Sequence, residues 1–232
     1  MTSAILSSLN FSCIFARQFD YNSNHMANTT EEIHPFLPGT TGWSVHDLDN
    51  NPDIERVWEL GHYEILEGAL ISMPPALFDV GLPFGYLIRI VQRHFMLNDI
   101  DLIATFETDL ILKPHRVVRP DAAFTSANDI REQLKHPPKK RGRKYGRLQV
   151  PPTLIIENIS PGHELQDREV KYEWYAEFGV PNYWIFDACA KRPQCFKLAL
   201  GQYKLDVEGR RNDKIRPGLF PGLEIDLKQV WL

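Results

Sequence analysis

Three things are scarce in this chain, and each absence excludes something. Cysteine is rare and odd in number: Cys13, Cys189 and Cys195 stand far apart, so they supply neither a disulfide framework nor a Cys-x-x-Cys metal site. Small residues in a reduced protein are the simpler account, and the cytoplasm follows as the default compartment. Long apolar runs are missing too. None approaches the roughly 20 residues needed to cross a bilayer, so no membrane span is expected. The opening MTSAILSSLNFSCIFARQ is mildly apolar, but it lacks the basic start of a secretory signal and is broken by Ser and Asn. Finally, there is no excess of positive charge. Lys and Arg number 26 against 30 Asp and Glu, a net charge of -4, which leaves no global pull toward nucleic acid. Any such contact has to come from a local basic patch. Internal repeats, helix-turn-helix patterns and zinc-finger patterns are likewise missing.

What is present suffices for a substantial core. In 232 residues, 43% are hydrophobic and 11% aromatic, which fits one medium-sized domain. The expected division is a poorly ordered extension over 1–42 and a single domain over 43–232, with Met26 an alternative start for the chain.

The domain opens with a short helical or loop-rich entry from Trp43 to Leu60, where Ser44 is placed to cap a helix. HYEILEGALISM, from His62 to Met73, alternates about Glu67-Gly68 and predicts a β-hairpin with its turn there. Leu87, Ile90, Val91 and Phe95 recur at a helical period within Leu82–Met96. Ala104 to Lys113 suggests two short strands, and another begins after Pro120. A polar stretch from Ser126 to Pro151 interrupts the pattern. Beyond it, PTLIIENIS (152–160) reads as a strand, and Glu164 to Phe178 as a helix stopped by Gly179. Tyr183 to Asp187 is a second strand. A hairpin follows around Cys195–Leu200 and Tyr203–Val207, and the C-terminus is turn-rich and then helical. Strand, helix, strand in this order implies an α/β or α+β sheet with helices packed against it.

Two features of this segment point to chemistry. Glu157 follows Leu154-Ile155-Ile156 where an interior strand should stay apolar. A carboxylate there is costly unless paired, hydrogen-bonded or bound to a cation. A carboxylate held by a neighbouring helix or base is the plain alternative to a catalytic or metal-binding one. In the helix, Glu169, Glu173 and Glu177 share one face, which must be wet. Asp167, Lys171 and Tyr175 form a second stripe about 200° around the helix, pointing inward. An Asp167–Lys171 ion pair would explain that stripe; so would a Lys171 that reaches the cavity of Glu157. Asp121, in a Pro-Asp dipeptide at the mouth of a strand, gains interest only from this company.

The ordered series Arg119-Pro120-Asp121-Ala122-Ala123-Phe124, Ile156-Glu157-Asn158-Ile159-Ser160-Pro161, Asp167 with Lys171 and Tyr175, and Gly179-Val180-Pro181-Asn182-Tyr183-Trp184-Ile185-Phe186-Asp187 resembles the Uma-two type restriction endonuclease family. Tyr63-Glu64-Ile65-Leu66-Glu67-Gly68 and Leu219-Phe220-Pro221-Gly222-Leu223 extend the likeness over about Tyr63 to Leu232. The resemblance implies the PD-(D/E)XK nuclease fold, a restriction-endonuclease-like mixed central sheet flanked by helices. It further implies endonucleolytic hydrolysis of DNA with Asp121, Glu157 and Lys171 as catalytic residues. Mg²⁺ (or Mn²⁺) would be held by Asp121 and Glu157, with the backbone carbonyl of Asn158 as an additional ligand. Hard Mg²⁺ suits a few carboxylates plus retained waters, and a lysine is a compact charge for steadying an attacking hydroxide.

Two departures from the family pattern stand out. The position two residues after the acid, which carries lysine in the standard motif, is Ile159, so Lys171 must substitute from the helix. Near Asp79-Val80-Gly81, where the family often has a histidine, there is none. That raises the alternative of a catalytically silent nuclease-like fold that binds nucleic acid or protein. A two-carboxylate glycosidase is disfavoured, because it would leave the lysine without a role. Lys135 to Arg147, KHPPKKRGRKYGR, concentrates seven Lys and Arg residues. Lys139, Lys140, Arg141, Arg143 and Lys144 are candidates for tracking DNA phosphates, against the plain reading of a solvated loop. A homodimer is compatible with the resemblance, but no segment identifies an interface.

Overall fold

The hairpin predicted about Glu67-Gly68 forms as read. Strands β1 (Tyr63–Leu66) and β2 (Ala69–Ser72) pair in register, Leu66 opposite Ala69. Glu67 and Gly68 both take positive φ, 49° and 80°, the backbone that a two-residue turn needs to match strand twist. The structure is a computed structural model and describes residues 39–73, 77–135, 146–160 and 164–231, all of one unit, His34–Leu232. The expected extension lies outside the described residues up to residue 38. Gly39 donates to Leu70 O and Thr40 O accepts from Leu70 N, so contacts with β2 begin a few residues before Gly42.

Two helices, α1 (Val45–Asn50) and α2 (Pro52–Leu60), precede the hairpin. Asp47 Oδ2 accepts from both the N–H and the hydroxyl of Ser44 at the α1 N-terminus, at 2.9 and 2.6 Å. Leu48, Ile54 and Trp58 pack from these helices onto Ile65, Leu70 and Val117. The 20-residue helix α3 (Phe78–Leu97) buries Val80, Leu87, Ile88, Val91 and Phe95; of the stripe expected, Leu87, Val91 and Phe95 are buried and Ile90 is partly buried.

The two strands expected in Ala104–Lys113 are β3 (Leu102–Thr105) and β4 (Leu110–Lys113), but they belong to different sheets. After β4 comes β5 (Arg116–Val118), then β6 (Ala122–Ser126), β7 (Leu154–Asn158), β8 (Asn182–Asp187), β9 (Arg192–Ala199) and β10 (Gln202–Glu208). One sheet has the order β2-β1-β5-β4; the other is six-stranded, β10-β9-β8-β7-β6-β3. Only β7 and β8 pair in parallel in the larger sheet, as a helical crossover between them requires. The chain leaves this sheet after β3 and returns to it through Arg119-Pro120-Asp121, so Asp121 stands at the seam between the two sheets.

Two elements were not read from the sequence, a helix in the polar interval and β5 ahead of it. The first part of that interval is the helix α4 (Ala127–Lys135), which buries little beyond Ala127 and so shows no apolar stripe. The three-residue β5 is too short to announce itself. The basic candidates Lys139, Lys140, Arg141, Arg143 and Lys144 lie outside the described residues. At the C-terminus, β11 (Lys214–Ile215) pairs with β12 (Ile225–Asp226). A single 3₁₀ turn at Leu227–Gln229 stands where a helix was expected, and Trp231 stacks on Phe186.

The central strands are buried on both faces, which is why they read as nearly continuous apolar runs. Leu154, Ile156, Trp184 and Phe186 face α3 and the C-terminal segment. Ile155, Tyr183 and Ile185 face the crossover helix α5 (Lys171–Phe178), with Trp174 and Tyr175. Gly179, at φ 90°, ends α5, and the N–H groups of Gly179 and Val180 both donate to Tyr175 O. Among the described residues no helix is long and apolar enough to cross a membrane.

Candidate active site

Strand register brings the two expected carboxylates together. Ala122 lies opposite Ile156 in the antiparallel β6–β7 pair, which sets Asp121 opposite Glu157 just beyond the ladder. The N–H of Asp121 donates to Glu157 Oε2 at 3.1 Å, and the N–H of Asn158 donates to Asp121 Oδ2 at 2.7 Å. Side chains alternate along β7, so Glu157 points to the face that Ile155 and Ile159 share with α5. Ile159 is buried there. An apolar side chain therefore fills the position two residues after the acid.

The lysine arrives from the helix instead. Lys171 is 2% exposed, and its Nζ lies 3.2 Å from Glu157 Oε1, 2.9 Å from Glu64 Oε1 and 3.4 Å from Asp167 Oδ1. Both accounts of the inward stripe are thus realised: Lys171 pairs with Asp167 one turn away and also reaches Glu157. Before α5 the helix makes a π-helical turn, Gln166–Val170, closed by the N–H of Lys171 donating to Gln166 O. Such turns are rare, and they displace the helical phase by a residue. Here the freed carbonyl of Asp167 accepts the Tyr183 hydroxyl at 2.9 Å. Asp167, Lys171 and Tyr175 are all buried while Glu169, Glu173 and Glu177 stay exposed, as expected. Tyr175 donates its hydroxyl to Glu157 Oε1 at 2.7 Å.

Glu64, which sequence reasoning did not single out, is as deeply placed as any of these. It is fully buried on β1. Its Oε1 accepts the Arg119 N–H at 2.9 Å besides meeting Lys171, and its Oε2 accepts from the Gln166 amide at 3.0 Å. The signal was available: a glutamate in an otherwise apolar hairpin poses the same energetic question as Glu157.

Charge in this site is out of balance. Glu64, Asp121, Glu157 and Asp167 face a single buried ammonium. Burial, and then the charge of Glu157, hold the Asp121 carboxyl well above its usual range. Asp167 is pushed up to about 7, chiefly by burial, although Lys171 opposes the shift. For Lys171 burial works downward, but Glu157, Glu64 and Asp167 outweigh it and raise the ammonium well above its ordinary value. Lys171 therefore stays charged.

Asp121, Glu157, Asp167 and Lys171 line a cleft of about 40 Å³ together with His62, Met73, Glu107, Arg119, Asn158 and Ser160. Asn158 is buried at the end of β7, and its amide donates to Val80 O at 3.5 Å. Asp79 to Gly81, where no histidine stands, forms the first turn of α3. Arg119 is fixed, with Nε on Asp109 at 2.6 Å and its guanidinium over the Trp58 ring. Among the described residues no three His, Cys, Asp or Glu side chains make a ready cage for a metal.

Comparison with known proteins agrees with this architecture. No curated protein matches the chain. Among solved structures, one titled as a "putative nuclease belonging to DUF820" from Anabaena variabilis is similar over 73% of this chain and 89% of its own, with a TM-score of 0.57 and 12% identity. That likeness establishes the shared fold, a restriction-endonuclease-like mixed sheet flanked by helices. Residues 53–228 match the Uma2 family, described as "Putative restriction endonuclease", and the chain belongs to that family.

Proposed function

We propose that the protein is a Mg²⁺- or Mn²⁺-dependent endonuclease that hydrolyses DNA phosphodiester bonds. One observation carries the reading: Asp121 and Glu157 lie side by side at a strand seam, with a charged Lys171 3.2 Å from Glu157. The donors that Asp121, Glu157 and the Asn158 carbonyl would supply are all oxygen, which suits a hard divalent cation. At roughly 10–15 Å³ per water, a cleft of about 40 Å³ has room for a cation and some of its hydration.

Asp121 and Glu157 would hold the ion, with the Asn158 carbonyl as a further donor. When bound, it supplies Lewis-acid polarisation of a phosphodiester oxygen and makes water more acidic. The chain's own residues do the rest. Tyr175 pins Glu157 through Oε1, while the Asp121 N–H meets Oε2. Lys171, held charged by Glu157, Glu64 and Asp167, is unsuited to act as a base. It is a fixed positive charge for stabilising negative charge that develops on the attacked phosphate. The basic residues Lys139, Lys140, Arg141, Arg143 and Lys144 would track the DNA backbone. Cysteines that are few, widely spaced and odd in number suit a reducing compartment, and we place the activity in the cytoplasm.

A second reading rests on the same ammonium. Three carboxylates within 3.4 Å of Lys171 Nζ commit it to structure, as in a silent fold that binds nucleic acid without cutting. The deciding experiment incubates purified protein with plasmid and linear DNA, with and without Mg²⁺ or Mn²⁺. Metal-dependent cleavage supports the endonuclease; DNA binding with no cleavage under any condition supports the silent module.

A further inference from the structure

His62 has no part in the carboxylate–lysine cluster, yet it lines the same cleft. Its Nε2 is buried and has no hydrogen-bond partner among the described residues. A buried polar atom left unpaired costs free energy, so a native one calls for an explanation. The other basic side chains of the cleft are committed. Arg119 donates to Asp109, to Gly61 O at 2.9 Å and to Trp58 O at 3.3 Å, and Lys171 is clamped by three carboxylates. Among the described residues lining the cleft, His62 is the nitrogen base left uncommitted.

Its backbone is held as firmly as the rest of the site. Gly61 O accepts from Arg119, and Met73 donates its N–H to His62 O at 2.8 Å. The first residue pair of the hairpin, Tyr63 with Ser72, follows directly. On such a support the ring has only to turn about its own side-chain bonds to bring the buried Nε2 to a ligand. The cleft is otherwise rich in carboxylates, which repel a phosphate, so an N–H donor is useful there.

We propose that His62 contacts the substrate, donating from Nε2 to a non-bridging phosphate oxygen of the DNA strand in the cleft. The proposal rests on the endonuclease reading and adds a residue that neither the Asp121–Glu157–Lys171 set nor its supports include. One hydrogen bond to a charged group corresponds to roughly ten- to a hundredfold in affinity.

The test compares wild type, H62A and H62Q on a duplex oligonucleotide in Mg²⁺, with Mg²⁺ affinity measured separately by calorimetry and melting temperature as the folding control. H62A is expected to raise KM by about tenfold or more, with a smaller change in kcat and unchanged Mg²⁺ affinity. H62Q, which keeps an N–H donor, should recover part of the loss. Wild-type cleavage with H62A indistinguishable from it overturns the proposal while leaving the endonuclease standing, and assigns Nε2 to a bound water. A loss of Mg²⁺ affinity in H62A equal to the loss of activity overturns it as well, because the ring would then serve the carboxylates. If wild type neither binds nor cleaves DNA, the proposal falls together with the reading beneath it.

Discussion

Asp121 and Glu157 are joined through the main chain: the N–H of Asp121 donates to Glu157 Oε2 at 3.1 Å, and the next residue after Glu157 returns an N–H to Asp121. Each carboxylate is thus aimed by the strand that carries the other. Glu157→Ala removes a proposed metal ligand, and it also leaves the buried Tyr175 hydroxyl without its acceptor, at a cost of about 1–3 kcal/mol. Glu157→Gln keeps an acceptor for Tyr175 while losing the charge. Both variants are expected to abolish metal-dependent cleavage, and the Gln variant should melt closer to wild type. Cleavage assays with and without EDTA, alongside thermal melts, check this; turnover that survives both Glu157→Ala and EDTA would reject the mechanism.

Lys171 should behave differently from either acid. Removing its ammonium strands Glu64, Glu157 and Asp167 together in the interior, so Lys171→Met is expected to cost about 3–5 kcal/mol of stability. At a temperature where the variant remains folded, it should still bind Mg²⁺ yet lose roughly 100-fold or more in rate. Lys171→Arg should also be poor, because a planar fork cannot meet three carboxylates that converge on one point. Calorimetry beside single-turnover rates separates the two effects. A Lys171→Met protein that cuts at the wild-type rate would make the lysine purely structural.

Glu64→Gln probes the residue that the sequence reading passed over. It keeps the Arg119 N–H satisfied while taking one carboxylate away from Lys171. The folded protein should survive, with cleavage reduced more than Mg²⁺ affinity, since Glu64 acts through the position of Lys171 rather than on the ion. Rate and metal affinity falling in equal measure would place Glu64 on the cation instead.

Much of this architecture is visible in the residues because strong local signals agree with tertiary packing. Leu154–Asn158, the Glu67-Gly68 turn and Gly179 each carry one unambiguous signal and adopt the structure it implies. The Asp167–Lys171–Tyr175 stripe keeps its inward face across a π-helical turn that no spacing rule would reveal. What was missed lacked such signals. In α4 almost nothing is buried, so its helical period carries no apolar mark, and β5 is three residues long. That β3 and β4 join different sheets depends on long-range pairing. Glu64 was hidden by a different cause: its partners, Arg119, Gln166 and Lys171, come from segments 55 to 107 residues away in the chain.

The basic segment makes a prediction about salt. Neutralising Lys139, Lys140, Arg141, Arg143 and Lys144 together should weaken DNA binding and flatten its dependence on ionic strength. Each lost phosphate contact lowers the log-log slope by about 0.9 on duplex DNA. Binding titrations between 50 and 200 mM salt, or about that range, measure the slope. An unchanged slope would assign the segment to the solvated surface.

The protonation of the site predicts how pH and metal act on stability. Asp167, pushed up to about 7 mainly by burial, and Asp121, raised in the same direction, bind protons more tightly folded than unfolded. Between the unfolded value near 4 and the folded value near 7, the native state therefore holds more protons than the unfolded chain. The linkage slope is then negative, and stability falls as pH rises through that window. Lys171 shifts upward from a value already above 10, so it adds no slope in this range. Melting temperature in EDTA is expected to drop by several degrees from pH 5 to pH 8, on the scale of about 2–4 °C per kcal/mol for a chain of this size. If Asp121 and Glu157 hold Mg²⁺ as proposed, the ion displaces the Asp121 proton, so its binding should strengthen with pH and release protons on mixing. It should raise the melting temperature more at pH 8 than at pH 5. Calorimetry in two buffers of different ionisation enthalpy measures the proton release directly. Mg²⁺ binding with no proton release near pH 6, and equal stabilisation at both ends of the range, would mean that the ion does not meet these carboxylates.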